Sequence, residues 1–182
     1  MDYTKKACRR EVKERLAKMT DALRTDASSS ICHSIHKLKE WQEARSVLLF
    51  HPMKSEPDIT PLLGTRDKQL FLPRMIDDCN LEIVPYSGAE SLAQGKFGIF
   101  EPSESNAVAL DEIDLVLVPA VAIDRNGHRL GHGKGYYDRL LAGFRKTTIG
   151  VVFASQIFEN IPFEQHDIAL SYIVTENETI KI

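Results

Sequence analysis

The sequence predicts an α/β protein built as a three-layer α/β/α sandwich around a mostly parallel central sheet. Three observations predict it: two helical stretches precede the first strand, short apolar segments then recur, and several of these are apolar at every position instead of alternating. A strand apolar on both faces needs cover on both, which parallel strands under helices receive. At 182 residues the chain suits one domain, residues 1–182, able to bury roughly two-thirds of its unfolded surface. No internal repeat or compositional break divides it.

In chain order, helices are expected over 1–19 and 25–43, the second with Ile31, Ile35 and Leu38 at helical spacing and an end near Trp41. Strands are expected over 47–50, 70–72, 81–84, 115–118 and 149–153, with a shorter sixth over 172–174. The stretch 88–112 lacks periodicity and holds Gly95, Gly98 and Pro102, so it should run as a long excursion over one sheet edge. Asp124-Arg125-Asn126-Gly127 has the composition of a turn between two extended arms. A helix should open at Tyr136 and stop at Gly143.

Composition narrows the function classes. With 43% hydrophobic and 27% charged residues the chain has the balance of a soluble globular protein. No apolar run approaches the roughly 18 residues that span a bilayer, and the charged N-terminus lacks the apolar core of a signal peptide, so no membrane partner and a cytoplasmic location are expected. A formal net charge of -3 argues against a nucleic-acid binder. Cys8, Cys32 and Cys79 have no Cys-x-x-Cys spacing and read as buried or half-buried free thiols.

Seven basic residues lie between Lys5 and Lys18. At about 100° per helical residue, Lys5 and Arg9 fall in one arc of about 60° with Val12 and Leu16, so both continue the apolar stripe. Lys6, Arg10 and Lys13 face another side, where solvent is the natural partner. Inward cations require an anion, for which a protein carboxylate or a bound phosphate would serve, unless their heads snorkel to water.

The densest signal is VLVPAVAIDRNGHRLGHGKGYYDRLL, residues 116–141, in which Gly131, Gly133 and Gly135 alternate along a loop that enters a helix. Such a loop lets backbone amides approach an oxyanion closely, and the helix start adds partial positive charge. Arg129 and Lys134 would complete a phosphate cradle, or the glycines serve a flexible turn only. Tyr136 stands where a dinucleotide fingerprint needs glycine, and Gly135 follows the Gly-Lys pair where a Walker A loop needs Ser or Thr, which excludes both templates. Asp138 in the first helical turn could offset the dipole or hold Mg²⁺ on a nucleotide.

The segment from Asp124 through Arg129-Leu130-Gly131 and Lys134-Gly135-Tyr136-Tyr137-Asp138 resembles the long glycine motif of the 5-formyltetrahydrofolate cyclo-ligases, also called methenyltetrahydrofolate synthetases. The likeness continues through Lys5 and Arg9, Phe50-His51-Pro52-Met53 with Glu56, Leu72-Pro73-Arg74, Phe97-Gly98-Ile99 with Glu101-Pro102, and the tail 162–167. The resemblance implies that the chain, expected to be a monomer, uses ATP and Mg²⁺ to close 5-formyltetrahydrofolate to 5,10-methenyltetrahydrofolate, releasing ADP and phosphate. The formyl oxygen would attack the γ-phosphate, and N10 would then displace phosphate.

It further implies that Lys5, Arg9, Arg129, Leu130, Gly131, His132, Gly133, Lys134, Gly135, Tyr136 and Tyr137 bind ATP, with Arg129 and Lys134 catalytic. Folate contacts fall on His51, Glu56 and Gly133, Lys134, Gly135 and Tyr136, and the Mg²⁺ carboxylates on Asp138 and Asp167, of which Asp167 reads as a surface loop from the sequence alone. Three positions depart from the family pattern: His132 replaces its common arginine, His51 an apolar residue and Phe100 a proline. An imidazole carries little charge at neutral pH, so a phosphate contact by His132 should be weaker or pH-dependent.

Overall fold

The computed structural model describes residues 4–104, 106–164 and 167–182. The expected helix start at Met1 and the middle of the 162–167 tail lie outside them. Helix α1 spans Lys5–Leu16, with the Thr4 hydroxyl accepting from the Ala7 amide at 3.2 Å as its N-cap. The second expected helix starts earlier and breaks in two: α2 is Asp21–Lys37, capped by Thr20, and α3 is Lys39–Glu43. Leu38 between them has ψ 134, an extended conformation. No helix among the described residues is long and apolar enough to cross a membrane.

The strands follow as β1 (Ser46–Leu48), β2 (Gln69–Met75), β3 (Leu81–Pro85), β4 (Leu92–Gln94), β5 (Phe100–Pro102), β6 (Leu115–Pro119), β7 (Ala122–Asp124) and β8 (Arg129–Leu130). After α4 (Tyr136–Leu140) come β9 (Thr147–Val151), β10 (Ile157–Phe158), β11 (Tyr172–Val174) and β12 (Thr179–Lys181). Among the described residues the main sheet has seven strands in the order β12-β11-β9-β6-β1-β2-β3. Its five inner strands are parallel, and β12 and β3 close the edges antiparallel. The α/β class and the parallel sheet are therefore as expected.

Apolar residues at every strand position are explained by two cores. Val47, Leu115, Leu117, Ile149 and Val151 pack with Val12, Leu16, Ile31 and Ile35 of the helices on one face. Leu48, Val116, Val118 and Ile173 pack on the other face with Leu141 and the flanks of Tyr137 and Leu140. That second outer layer is thin, since α4 has five residues.

Parallel strands bring their carboxyl ends to one edge of the sheet, where ligands of open α/β folds bind. The chain leaving β1 there carries His51 and Glu56, and the chain leaving β6 forms the β7–β8 hairpin and the glycine loop. The expected Asp124–Gly127 turn joins that hairpin, with Gly127 at φ 85. Buried Asp124 accepts from the amides of Asn126 and His128 at 3.0 Å each and of Ile161 at 3.2 Å. The Gly127 carbonyl accepts from the Leu170 amide at 2.9 Å. The turn thus ties down both ends of the segment that carries Glu164 and Asp167.

The 88–112 excursion contains the β4–β5 hairpin and returns to the β3 edge through a bridge between Ile83 and Val108. Cys8 and Cys32 are buried free thiols, whereas Cys79 is exposed, because it sits at the tip of the β2–β3 hairpin beyond either core.

Candidate active site

Lys5 and Arg9 both reach the carboxyl edge from α1. Lys5 Nζ lies 2.8 Å from Glu164 Oε1 and 3.1 Å from Asp167 Oδ2, so the anion that its direction demanded is supplied by carboxylates. Partial burial depresses its ammonium, but hydrogen bonds and charge from Glu164 and Asp167 outweigh that and hold its pKa above the ordinary lysine value. Arg9 Nε donates to the Gly131 carbonyl at 3.0 Å, and its guanidinium lies beside Gly133.

Arg129 comes from β8 and is buried, its side chain only 3% exposed. Nη2 donates to Asp138 Oδ1, and the guanidinium stands 5.9 Å from the Tyr137 ring centroid. Burial pulls its pKa below the usual range, opposed by Asp138, Tyr137 and Asp167, and a guanidinium stays cationic at neutral pH even so. Asp167, taken as a surface loop from sequence alone, has a side chain only 8% exposed and acts electrostatically on the same guanidinium as Asp138. Two carboxylates, with phosphate oxygens and water to complete the set, would suit Mg²⁺, which seldom takes an all-protein cage. Among the described residues no group of three or more His, Cys, Asp or Glu converges as a metal cage.

Glu56 is buried and accepts from the Met53 amide at 2.8 Å through Oε2. His132 Nε2 approaches its other oxygen at 3.9 Å. Burial pushes the Tyr137 phenol well above its ordinary pKa, with Glu56 acting in the same direction and Arg129 against it, so the phenol is neutral. His51 packs its ring 5.2 Å from that of Phe100, and burial lowers its pKa, leaving a neutral imidazole at pH 7.

Three buried side-chain polar atoms among the described residues have no hydrogen-bond partner: His51 Nδ1, Arg129 Nη1 and Tyr137 OH. Each belongs to a residue already selected from the sequence. An unsatisfied buried donor or acceptor costs about 1–3 kcal/mol, so such a group asks for a ligand.

Not every nominated residue faces the same space. Leu130 is 2% exposed in the core and gives its carbonyl to the Val121 amide at 2.8 Å, so its part is to anchor the hairpin beneath the loop. Lys134 is exposed, and its ammonium helps hold the Asp78 carboxyl below its usual range, after Lys96. Its side chain thus has the β2–β3 tip as its electrostatic neighbour. Tyr136 OH donates to the Asp77 carbonyl at 3.4 Å on that side too. With five residues, α4 supplies a smaller dipole than a full helix would.

Sequence reasoning missed Arg139, Glu164 and the β2–β3 tip. Arg139 stands directly after Asp138 in the glycine segment, but nothing local reveals that its guanidinium bonds the Cys79 carbonyl, 60 residues away.

The model of the 5-formyltetrahydrofolate cyclo-ligase family matches residues 2–176. The Mycolicibacterium smegmatis 5-formyltetrahydrofolate cyclo-ligase is 34% identical to this chain, covering 75% of it and 76% of its own length. The Haemophilus influenzae protein of the same name is 28% identical over 89% of this chain and 92% of its own. The NMR structure of Aquifex aeolicus 5,10-methenyltetrahydrofolate synthetase superposes with a TM-score of 0.87 at 33% identity, over 97% of this chain and 92% of that one.

Proposed function

From the chain's membership of the 5-formyltetrahydrofolate cyclo-ligase family, we propose that it closes 5-formyltetrahydrofolate to 5,10-methenyltetrahydrofolate at the expense of ATP. The observation that carries this reading to these residues is that the unsatisfied buried atoms of Arg129 and Tyr137 flank a glycine loop whose Gly131 carbonyl is held by Arg9. Expelling a formyl oxygen needs a better leaving group than hydroxide, and ATP supplies one by phosphorylating that oxygen.

The chain's own residues align the reactants and neutralise charge, which is most of what phosphoryl transfer asks of a protein. Arg9, Arg129 and the amides of residues 131–137 hold the triphosphate, with Lys5 at its far side. Lys134 reaches the transferring group with its flexible four-carbon stem. Asp138 and Asp167 would hold Mg²⁺, which would neutralise charge on the phosphate oxygens. Neutral His51, Glu56 and the face of Gly133–Tyr136 meet the folate, where a ligand hydrogen bond would satisfy His51 Nδ1. No cysteine or serine forms a bond. We assign the enzyme to the cytoplasm, as a monomer without nucleic-acid partners.

Mixing the protein with MgATP and 5-formyltetrahydrofolate should raise the near-ultraviolet absorbance of the methenyl product, and leaving out nucleotide should abolish it. Conversion without ATP would refute the reading. Lys134→Ala should stop turnover while the thermal transition stays put, and a variant as active as the parent would strip Lys134 of its catalytic part.

A further inference from the structure

Arg139 lies between the glycine loop and the tip of the β2–β3 hairpin. Its Nε donates to the Cys79 carbonyl at 2.8 Å, and Nη2 bonds both that carbonyl and the carbonyl of Lys134. The acceptor at the hairpin tip is preorganised. Asp77 Oδ1 accepts from the amides of Cys79 at 2.7 Å and Asn80 at 2.8 Å, and the Ile76 amide closes the turn on the Asn80 carbonyl at 3.0 Å. One guanidinium therefore fastens the phosphate-loop backbone to a rigid turn of another hairpin.

The electrostatic consequence follows from peptide geometry. In a planar trans peptide the C=O and the next N–H point in opposite directions. Holding the Lys134 carbonyl toward the β2–β3 tip turns the Gly135 amide to the opposite face. Gly135 sits at φ 66, and a Cβ there would lie 3.0 Å from Arg139 Nη1, so glycine serves both the turn and the close approach of the guanidinium. The same freedom makes the Lys134–Gly135 peptide easy to flip once released, and the flipped peptide would turn a carbonyl oxygen toward a bound phosphate.

We infer that Arg139 is a positioning residue for nucleotide binding, latching the Lys134–Gly135 peptide to the Cys79 carbonyl so that the loop presents N–H groups to the triphosphate. This rests on the nucleotide reading above. Calorimetric titration of the protein with MgATP, without folate, tests it. Arg139→Lys keeps the charge but cannot bridge two carbonyls, and should weaken MgATP binding at least about tenfold, the scale of a misplaced binding group. Guanidinium ion at sub-denaturing concentration should restore part of the affinity of Arg139→Ala and none of that lost by Lys134→Ala. Asp77→Ala, which loosens the tip while leaving Arg139 in place, should weaken MgATP binding in the same direction and serves if the arginine variants do not fold. Parental affinity in Arg139→Lys or in Asp77→Ala overturns the latch, as does loss of thermal stability with affinity intact. A parent chain that binds no MgATP overturns the nucleotide reading and the latch together.

Discussion

The Tyr137 hydroxyl is buried without a partner, next to a buried guanidinium with one unpartnered nitrogen. A protein selected for stability alone would have phenylalanine here. Tyr137→Phe should raise the stability of the unliganded chain by about 1 kcal/mol, since it removes an unsatisfied buried polar group, while lowering turnover. Urea unfolding read beside the absorbance assay checks both, and a destabilised variant would mean the hydroxyl has a protein partner. His51 contributes a pH dependence of known sign. Its folded pKa lies below the ordinary 6.5 because burial disfavours the cation. Between that lower value and 6.5 the unfolded chain binds a proton that the folded chain does not, so stability is fully present above 6.5 and falls as pH drops through this window. His51→Leu should flatten the decline below pH 6.5 in chemical denaturation; an unchanged slope would remove His51 as its source. Lys5 and Arg9 were legible because helical periodicity reports where a side chain points. Arg139 was not, because its partners are set by the meeting of two hairpins.

The β7–β8 hairpin shows how an element read as a turn acquires work from its surroundings. Its Asn-Gly composition is sufficient to form it, and the functional consequence lies in what it holds: the Ile161 amide through Asp124 and the Leu170 amide through Gly127. His128 adds a stack on Phe163, ring centroids 3.8 Å apart, within the same segment. Gly127→Ala combines a positive φ of 85 with a Cβ 2.8 Å from the Leu170 carbonyl oxygen. It should cost about 1–3 kcal/mol, measured by thermal unfolding, and a neutral variant would mean the segment shifts freely. Helix boundaries at this scale were partly legible: Thr20 with Asp21 is an N-cap signal that begins α2, whereas the break at Leu38 leaves no local mark.

Across the whole molecule, the candidate site joins pieces from the first helix, the ends of the parallel strands and the 161–167 segment. A nucleotide bridging them should stabilise the fold as a unit. At about 100 times its Kd, MgATP contributes about 2.7 kcal/mol, which for a domain this size is a rise in Tm of about 5–10 °C. Differential scanning fluorimetry reads it, and an unchanged Tm at saturating nucleotide would mean these pieces are not joined by ATP.

Local chemistry in the sequence determined much of this protein. Periodicity and apolar runs specify the helices, the parallel strands and the two faces that need cover, and the glycine segment with its interleaved cations marks the place proposed for an anion. Those features depend on neighbours within a few residues, so they survive in one dimension. Only the tertiary structure decided that Asp167 is drawn in beside Lys5, that Leu130 turns to the core, that Lys134 stands next to Asp78, and that Arg139 grips a carbonyl from another hairpin. Each is a contact between segments whose separation along the chain is closed by the packing of the sheet, and such contacts carry no sequence period.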